Sequence, residues 1–117
     1  MRQILMKTTA YLRISTADQD IEKNKSDILK LANEKRLGYV EFIEEQISGK
    51  VSWRKRKLFA IIDDAKKDDV LIVSELSRLG RSMLEIMEIL SIASQKQMKI
   101  YAVKGNWNLD VKILIEN

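Results

Sequence analysis

Val70-Leu71-Ile72-Val73 is a short, unbroken apolar run rich in β-branched side chains. Strand side chains alternate between two faces, so an all-apolar run predicts a strand buried on both. A parallel sheet with helices packed on each side offers that burial. The rest of the chain reads the same way. Thr8 to Ile14 reads as a first strand, Asp18 to Arg36 as a helix stopped by Gly38, and Tyr39 to Gln46 as a second strand. Leu58, Ile61, Ile62 and Ala65 recur at helical spacing, Ser82 to Gln97 predicts a further helix, and Lys99 to Val103 a further strand. Leu109 to Ile115 fits either a last strand or the first turns of a helix. The expected fold is an α/β domain of three layers (α/β/α) with a mostly parallel central sheet. A strand order of 2-1-3-4 would put the topological switch point between strands one and three.

A chain of 117 residues, 45% hydrophobic and 32% charged, suits one soluble domain with a modest core. No apolar run is long enough to span a bilayer and no signal-peptide pattern is evident, so no membrane partner and a cytoplasmic location are expected. The sequence contains no Cys and no His. Thiolate nucleophiles, thiolate zinc sites, disulfides and a Ser-His-Asp triad within the chain are thereby excluded, and the commonest metal ligand is missing. A net charge of +4 is mildly basic and compatible with a polyanion partner.

The end of strand one carries the first candidate chemistry. Tyr11, Arg13 and Ser15 alternate onto one face, opposite Ala10, Leu12 and Ile14. Thr16 and Gln19 have capping-box spacing, which predicts a helix start there and an N-terminus suited to an anion. After strand two, residues 48–57 (SGKVSWRKRK) hold five basic residues and no acid. After strand three, Ser77-Arg78-Leu79-Gly80-Arg81 places two arginines three apart, on one face if the turn is helical. All three segments follow the carboxyl ends of strands. Ser15 as nucleophile, with Arg13, Arg78, Arg81 and Arg54 around a phosphate, would suit phosphoryl transfer, because the guanidinium fork binds two phosphate oxygens and keeps its charge. Each residue also has an ordinary use: Ser15 as a turn or cap, Gln19 as a capping partner, the arginines as solvated or ion-paired surface.

Taken together, Tyr11-Leu12-Arg13-Ile14-Ser15-Thr16 with Gln19, then Ser48-Gly49, then Ser77-Arg78-Leu79-Gly80-Arg81-Ser82 resemble the catalytic domain of the serine recombinases, the resolvase/invertase family. The resemblance runs from about Thr8 to Val103. It implies an enzyme that cleaves and rejoins DNA through a covalent 5′-phosphoserine, without metal or nucleotide cofactor, in a homodimer or homotetramer. By position it implies Ser15 as nucleophile and Arg13, Arg78, Arg81 and Arg54 as phosphate-binding arginines. Tyr11, Gln19, Ser48 and Ser77 take supporting positions, and Ser77 stands where many members have Asp. Family members continue into a long dimerisation helix and a DNA-binding domain. Residues 1–117 are therefore expected to be a catalytic domain without those parts complete, inactive in isolation and binding DNA only weakly and nonspecifically.

Two other readings start from the same residues. The helix from Ser82 has an apolar face wider than one sheet covers, which suits contact with another subunit or a helix sandwiched within its own domain. Taken alone, it suggests a noncatalytic dimerisation or regulatory module on this fold. A small-molecule phosphate binder is the third reading, although no glycine-rich phosphate loop is present.

Overall fold

The computed structural model describes residues 6–14 and 20–110. Among the described residues five strands form one sheet: β1 (Thr8–Ile14), β2 (Val40–Gln46), β3 (Val70–Val73), β4 (Lys99–Ala102) and β5 (Trp107–Leu109). Their spatial order is β2-β1-β3-β4-β5. The first four are mutually parallel, and β5 returns antiparallel to β4. The α-helices among the described residues are α1 (Ile21–Glu34), α2 (Lys57–Asp64) and α3 (Met83–Lys96), each between successive strands.

The layers follow from the period-two alternation of the strands. Val70 and Ile72 of β3, with Ala10 and Leu12 of β1, pack against Ile28, Leu31 and Ala32 of α1. Leu71 and Val73, with Tyr11 and Ile100, pack against Leu58 and Ile62 of α2 and Ile89 and Ala93 of α3. All four residues of β3 are buried, as a central strand covered on both faces requires. The sheet is thus the middle of an α/β/α sandwich.

Several local expectations are corrected. Helix α1 begins at Ile21 with Asp20 as its N-cap, not at Asp18, and the proposed cap pair Thr16–Gln19 lies outside the described residues. The helix ends at Glu34, where Arg36 takes a positive φ of 56° and Leu37 N–H bonds back to Ala32 O at 2.9 Å. Gly38 therefore follows the stop rather than making it. Among the described residues the last strand is Trp107–Leu109, which the Lys104–Asn106 turn, with Gly105 at a φ of 79°, sends back beside β4; the element expected over Leu109 to Ile115 lies almost wholly outside the described residues. Residues 111–117 lie outside the described residues.

The β1–β2 ladder runs from Thr8 to Ile14, whereas the β1–β3 ladder covers only Thr8 to Ala10. Beyond Ala10 the two central strands lose their shared ladder. Connections also leave them in opposite directions, so the crevice at their carboxyl ends is the topological switch point.

Candidate active site

The carboxyl ends of the parallel strands β1, β2 and β3 lie at the same edge of the sheet. Arg13, near the end of β1, donates from Nη1 to the carbonyl of Ile47 at 3.1 Å. Its guanidinium lies against the loop after β2, since a Cβ on Gly49 would stand 3.4 Å from Arg13 Cζ. Strand β1 and the Ser48-Gly49 turn are thus in direct contact. Ser48 shapes that turn, its Oγ accepting the Lys50 N–H at 3.1 Å.

The neighbouring connection is made by Arg56. It is only 4% exposed despite its charge. Its Nε donates to Val51 O at 2.9 Å, Nη2 to Gly49 O at 3.2 Å and Nη1 to Arg78 O at 3.1 Å. One guanidinium therefore ties the loop after β2 to the turn after β3. Nothing in the sequence singled it out among the consecutive bases Arg54 to Lys57. Only the chain path, which turns inward at the residue before α2, selects it.

Arg54 lies elsewhere. Its Nη2 is 2.6 Å from Glu88 Oε2 on α3, and its guanidinium sits 4.9 Å from the centre of the Trp53 ring. It does not join Arg56 in bridging Gly49 to Arg78. Arg78 ends the 3-10 turn Leu76–Arg78, buried Leu79 and Gly80 intervene, and Arg81 precedes the N-cap of α3. Arg78 and Arg81 therefore do not share one helical face, contrary to the spacing argument. Arg81 is instead held by Glu85, which accepts the Arg81 N–H at 3.1 Å and lies 3.3 Å from Arg81 Nε.

Glu85 proves to be the anchor of this edge. Its carboxylate also accepts the Ser52 hydroxyl at 2.8 Å and the Trp53 N–H at 3.3 Å. Glu88, one turn later, accepts the Trp53 indole N–H at 3.0 Å. The sequence shows these two only as the polar stripe of an apolar helix, although Ser82 and Glu85 have capping-box spacing, and Ser82 Oγ does accept the Glu85 N–H at 3.2 Å. Burial works against the Glu85 charge. The Arg81 and Trp53 N–H groups, the Ser52 hydroxyl and the Arg81 charge outweigh it, leaving the carboxyl below its ordinary value. Gly80 is required here by space, because a Cβ on it would stand 2.8 Å from Glu85 Cβ.

Tyr11 is buried beneath the site. Its hydroxyl donates to Glu45 Oε1 at 2.9 Å, and the same oxygen accepts the Lys57 N–H at the start of α2 at 2.8 Å. Burial first, and then the Glu45 carboxylate, raise the Tyr11 hydroxyl well above its ordinary value, so it remains a donor. Ser77 donates its hydroxyl to Glu75 in a close hydrogen bond. Ser15 and Gln19 lie outside the described residues.

A polar cleft of about 360 Å³ at this edge is lined by Ser74, Glu75, Arg78 and Lys104, with Asp20 and Lys23 opposite. A second, more apolar cleft of about 300 Å³, lined by Lys7, Thr9 and Val70 among others, lies at the amino ends of β1 and β3 and holds none of these candidates. Among the described residues, no group of three or more acidic residues is placed to hold a metal ion.

An α/β/α sandwich in which Arg56 ties the loop after β2 to the turn after β3, beside Arg13 of β1, defines the architectural class. Comparison with known proteins makes it specific. The family model described as "Resolvase, N terminal domain" matches residues 8–113, and the chain belongs to that family. It is 28% identical over 102 residues to the transposon Tn1546 resolvase of Enterococcus faecium, covering 87% of this chain and 50% of that protein. It is 37% identical over 89 residues to the DNA-invertase hin of Salmonella typhimurium, covering 74% of this chain and 42% of the invertase. The chain thus spans about half the length of the curated relatives it matches. The crystal structure of a resolvase family site-specific recombinase from Streptococcus pneumoniae has the same fold, with a TM-score of 0.63 at 18% identity over 95% of this chain and 84% of that one.

Proposed function

We propose that residues 1–117 form the catalytic domain of a site-specific DNA serine recombinase. The observation that supports this best is the continuous contact from Arg13 through Gly49 and Arg56 to Arg78, which gathers the three motif segments at the switch point. In this reading Ser15, next in the chain after Ile14 of β1, attacks the scissile phosphorus. The Ser15 Oγ–P bond forms and the P–O3′ bond breaks. The serine loses its proton and the departing 3′ oxygen gains one, giving a 5′-phosphoserine and a free 3′-hydroxyl. Attack by a 3′-hydroxyl reverses the step and rejoins the strand.

The attacked phosphate gains negative charge as five oxygens surround phosphorus. Arg13 and Arg78, with Arg81 three residues after Arg78, would stabilise that charge more than the ground state, which is how preorganised cations accelerate a reaction. Arg54 takes a peripheral place in this account and Arg56 a structural one. Tyr11, Ser48 and Ser77 support the surrounding turns, and Gln19 follows the nucleophile.

DNA is the proposed partner, bound weakly and in a salt-sensitive way by this chain alone. A homodimer or homotetramer is proposed for the active form. Met83, Leu84 and Met87 of α3, which are 70%, 82% and 58% exposed, give such an assembly an apolar surface. The same surface favours the second reading, a noncatalytic dimerisation module. A cytoplasmic location fits DNA as partner, and among the described residues no helix is long and apolar enough to cross a membrane.

Fusing residues 1–117 to the long helix and DNA-binding domain of a related recombinase, with its target DNA, separates the two readings. Strand cleavage by the fusion and none by Ser15→Ala supports the recombinase. A folded, target-bound fusion that associates but never cleaves supports the module.

A further inference from the structure

Glu85 lies in the first turn of α3, after the N-cap Ser82. Both of its carboxylate oxygens are engaged. Oε1 accepts the main-chain N–H of Arg81 at 3.1 Å and that of Trp53 at 3.3 Å. Oε2 accepts the Ser52 hydroxyl at 2.8 Å and lies 3.3 Å from Arg81 Nε. One carboxylate thus grips Arg81 at its backbone and again at its side chain. An exposed ion pair four residues apart on a helix ordinarily fixes little, because both side chains wander. Here the Glu85 side chain is only 12% exposed and is tied to a second loop, whereas that of Arg81 is 53% exposed. The carboxylate is the fixed member of the pair, and the guanidinium is the one it orients.

A guanidinium donates through Nε and through its two Nη groups. Glu85 engages Nε of Arg81 and leaves the Nη pair, which can fork onto two phosphate oxygens. A cation ordered before the substrate arrives need not be ordered as the transition state forms, when negative charge grows on the phosphate. We propose that Glu85 is a positioning residue for strand cleavage: it fixes the Arg81 guanidinium through Nε and so presents the Nη edge to the DNA phosphate. The proposal rests on the recombinase reading of this edge of the sheet.

Glu85→Gln separates the two halves of the grip. An amide oxygen at the Oε1 position keeps both main-chain bonds, and the amide NH2 can donate to Ser52 Oγ but cannot accept from Arg81 Nε. In the full 117-residue chain, NMR should show an Arg81 Nε–H protected from exchange with water, and exchanging about tenfold faster in Glu85→Gln. In the recombinase fusion on its target duplex, Glu85→Gln should slow single-turnover cleavage about tenfold to a hundredfold. Noncovalent target binding, read by fluorescence anisotropy, should hold or tighten, because one negative charge is gone. Ile28→Val trims the core on the α1 side of the sheet and leaves the Glu85 contacts in place, so it shows what lost stability alone does. It should cleave at nearly the parental rate. In an Arg81→Ala background, Glu85→Gln should slow cleavage no further. Equal Nε–H exchange in both chains, a cleavage loss no larger than that of Ile28→Val, or a loss that persists without Arg81 overturns the role of Glu85. A target-bound parent fusion that never cleaves instead overturns the recombinase reading on which the proposal rests. Circular dichroism of each variant confirms the common fold.

Discussion

Arg56 Nη1 donates to the main-chain carbonyl of Arg78 at 3.1 Å, so a buried cation fixes the backbone of a residue proposed to bind phosphate. The same guanidinium holds Gly49 O and Val51 O. Three carbonyls from two loops lose their donor together if it is removed. Arg56→Ala should therefore destabilise the domain by about 1–3 kcal/mol, the range for a stranded buried polar group. Urea denaturation measures this. Arg56→Lys should recover little, because an ammonium has no fork to span three acceptors. A loss below about 0.5 kcal/mol, the range of ordinary surface substitutions, would show that Arg56 does not hold the loops together.

Glu85 makes the corresponding link from α3, and its contribution depends on pH. Its folded carboxyl titrates below the ordinary value of 4.5. Its stabilising effect is therefore complete above that value and disappears as pH falls through the lower folded one. At neutral pH Glu85→Gln should be less stable than the parent chain by about 1 kcal/mol. As the solution is acidified the difference should shrink. Thermal denaturation across the acidic range tests this, and a constant difference between the two proteins at every pH would contradict it.

Gly80 allows α3 to start where it does. Gly80→Ala places a Cβ 2.8 Å from Glu85 Cβ and 3.3 Å from the Ile86 backbone nitrogen. The backbone cannot move aside as a long side chain can. The substitution should cost about 1–3 kcal/mol, as overpacking does. It should also perturb the Arg81 and Glu85 amide resonances in NMR spectra. Unchanged stability and unchanged resonances would refute the steric argument.

Arg78 is predicted to act on the transition state more than on the bound ground state. In the recombinase fusion, Arg78→Ala should slow cleavage by about 100-fold or more while weakening noncovalent DNA binding only a few-fold. Single-turnover cleavage and anisotropy measure the two separately. Equal losses in both would make Arg78 a backbone anchor only.

The fold was legible where one residue type satisfies one requirement. Val70 to Val73 could be placed in the sheet centre because no other position buries both faces of a strand. Arg13 and Tyr11 could be placed on a common face because alternation fixes it. The site was less legible because its wiring depends on tertiary path. Arg54 and Arg56 are two residues apart in a uniformly basic run, yet one meets α3 and the other is buried beneath the crevice. Spacing alone suggested a shared helical face for Arg78 and Arg81. The chain ends a 3-10 turn at Arg78 and reorients through Gly80 before Arg81. Glu85 read only as part of the polar stripe of its helix, because its bonds to Ser52 and Trp53 come from a loop more than thirty residues away.

In strand cleavage Ser15 should become covalently attached to DNA. The most direct measurement is mass spectrometry of peptides from the fusion, quenched with denaturant during reaction on its target duplex. The expected product is a Ser15 peptide carrying a 5′-linked nucleotide phosphate, sensitive to phosphodiesterase and absent from Ser15→Ala. Cleaved DNA with a free 5′-phosphate and no modified Ser15 peptide, or an adduct on a different residue, would contradict it.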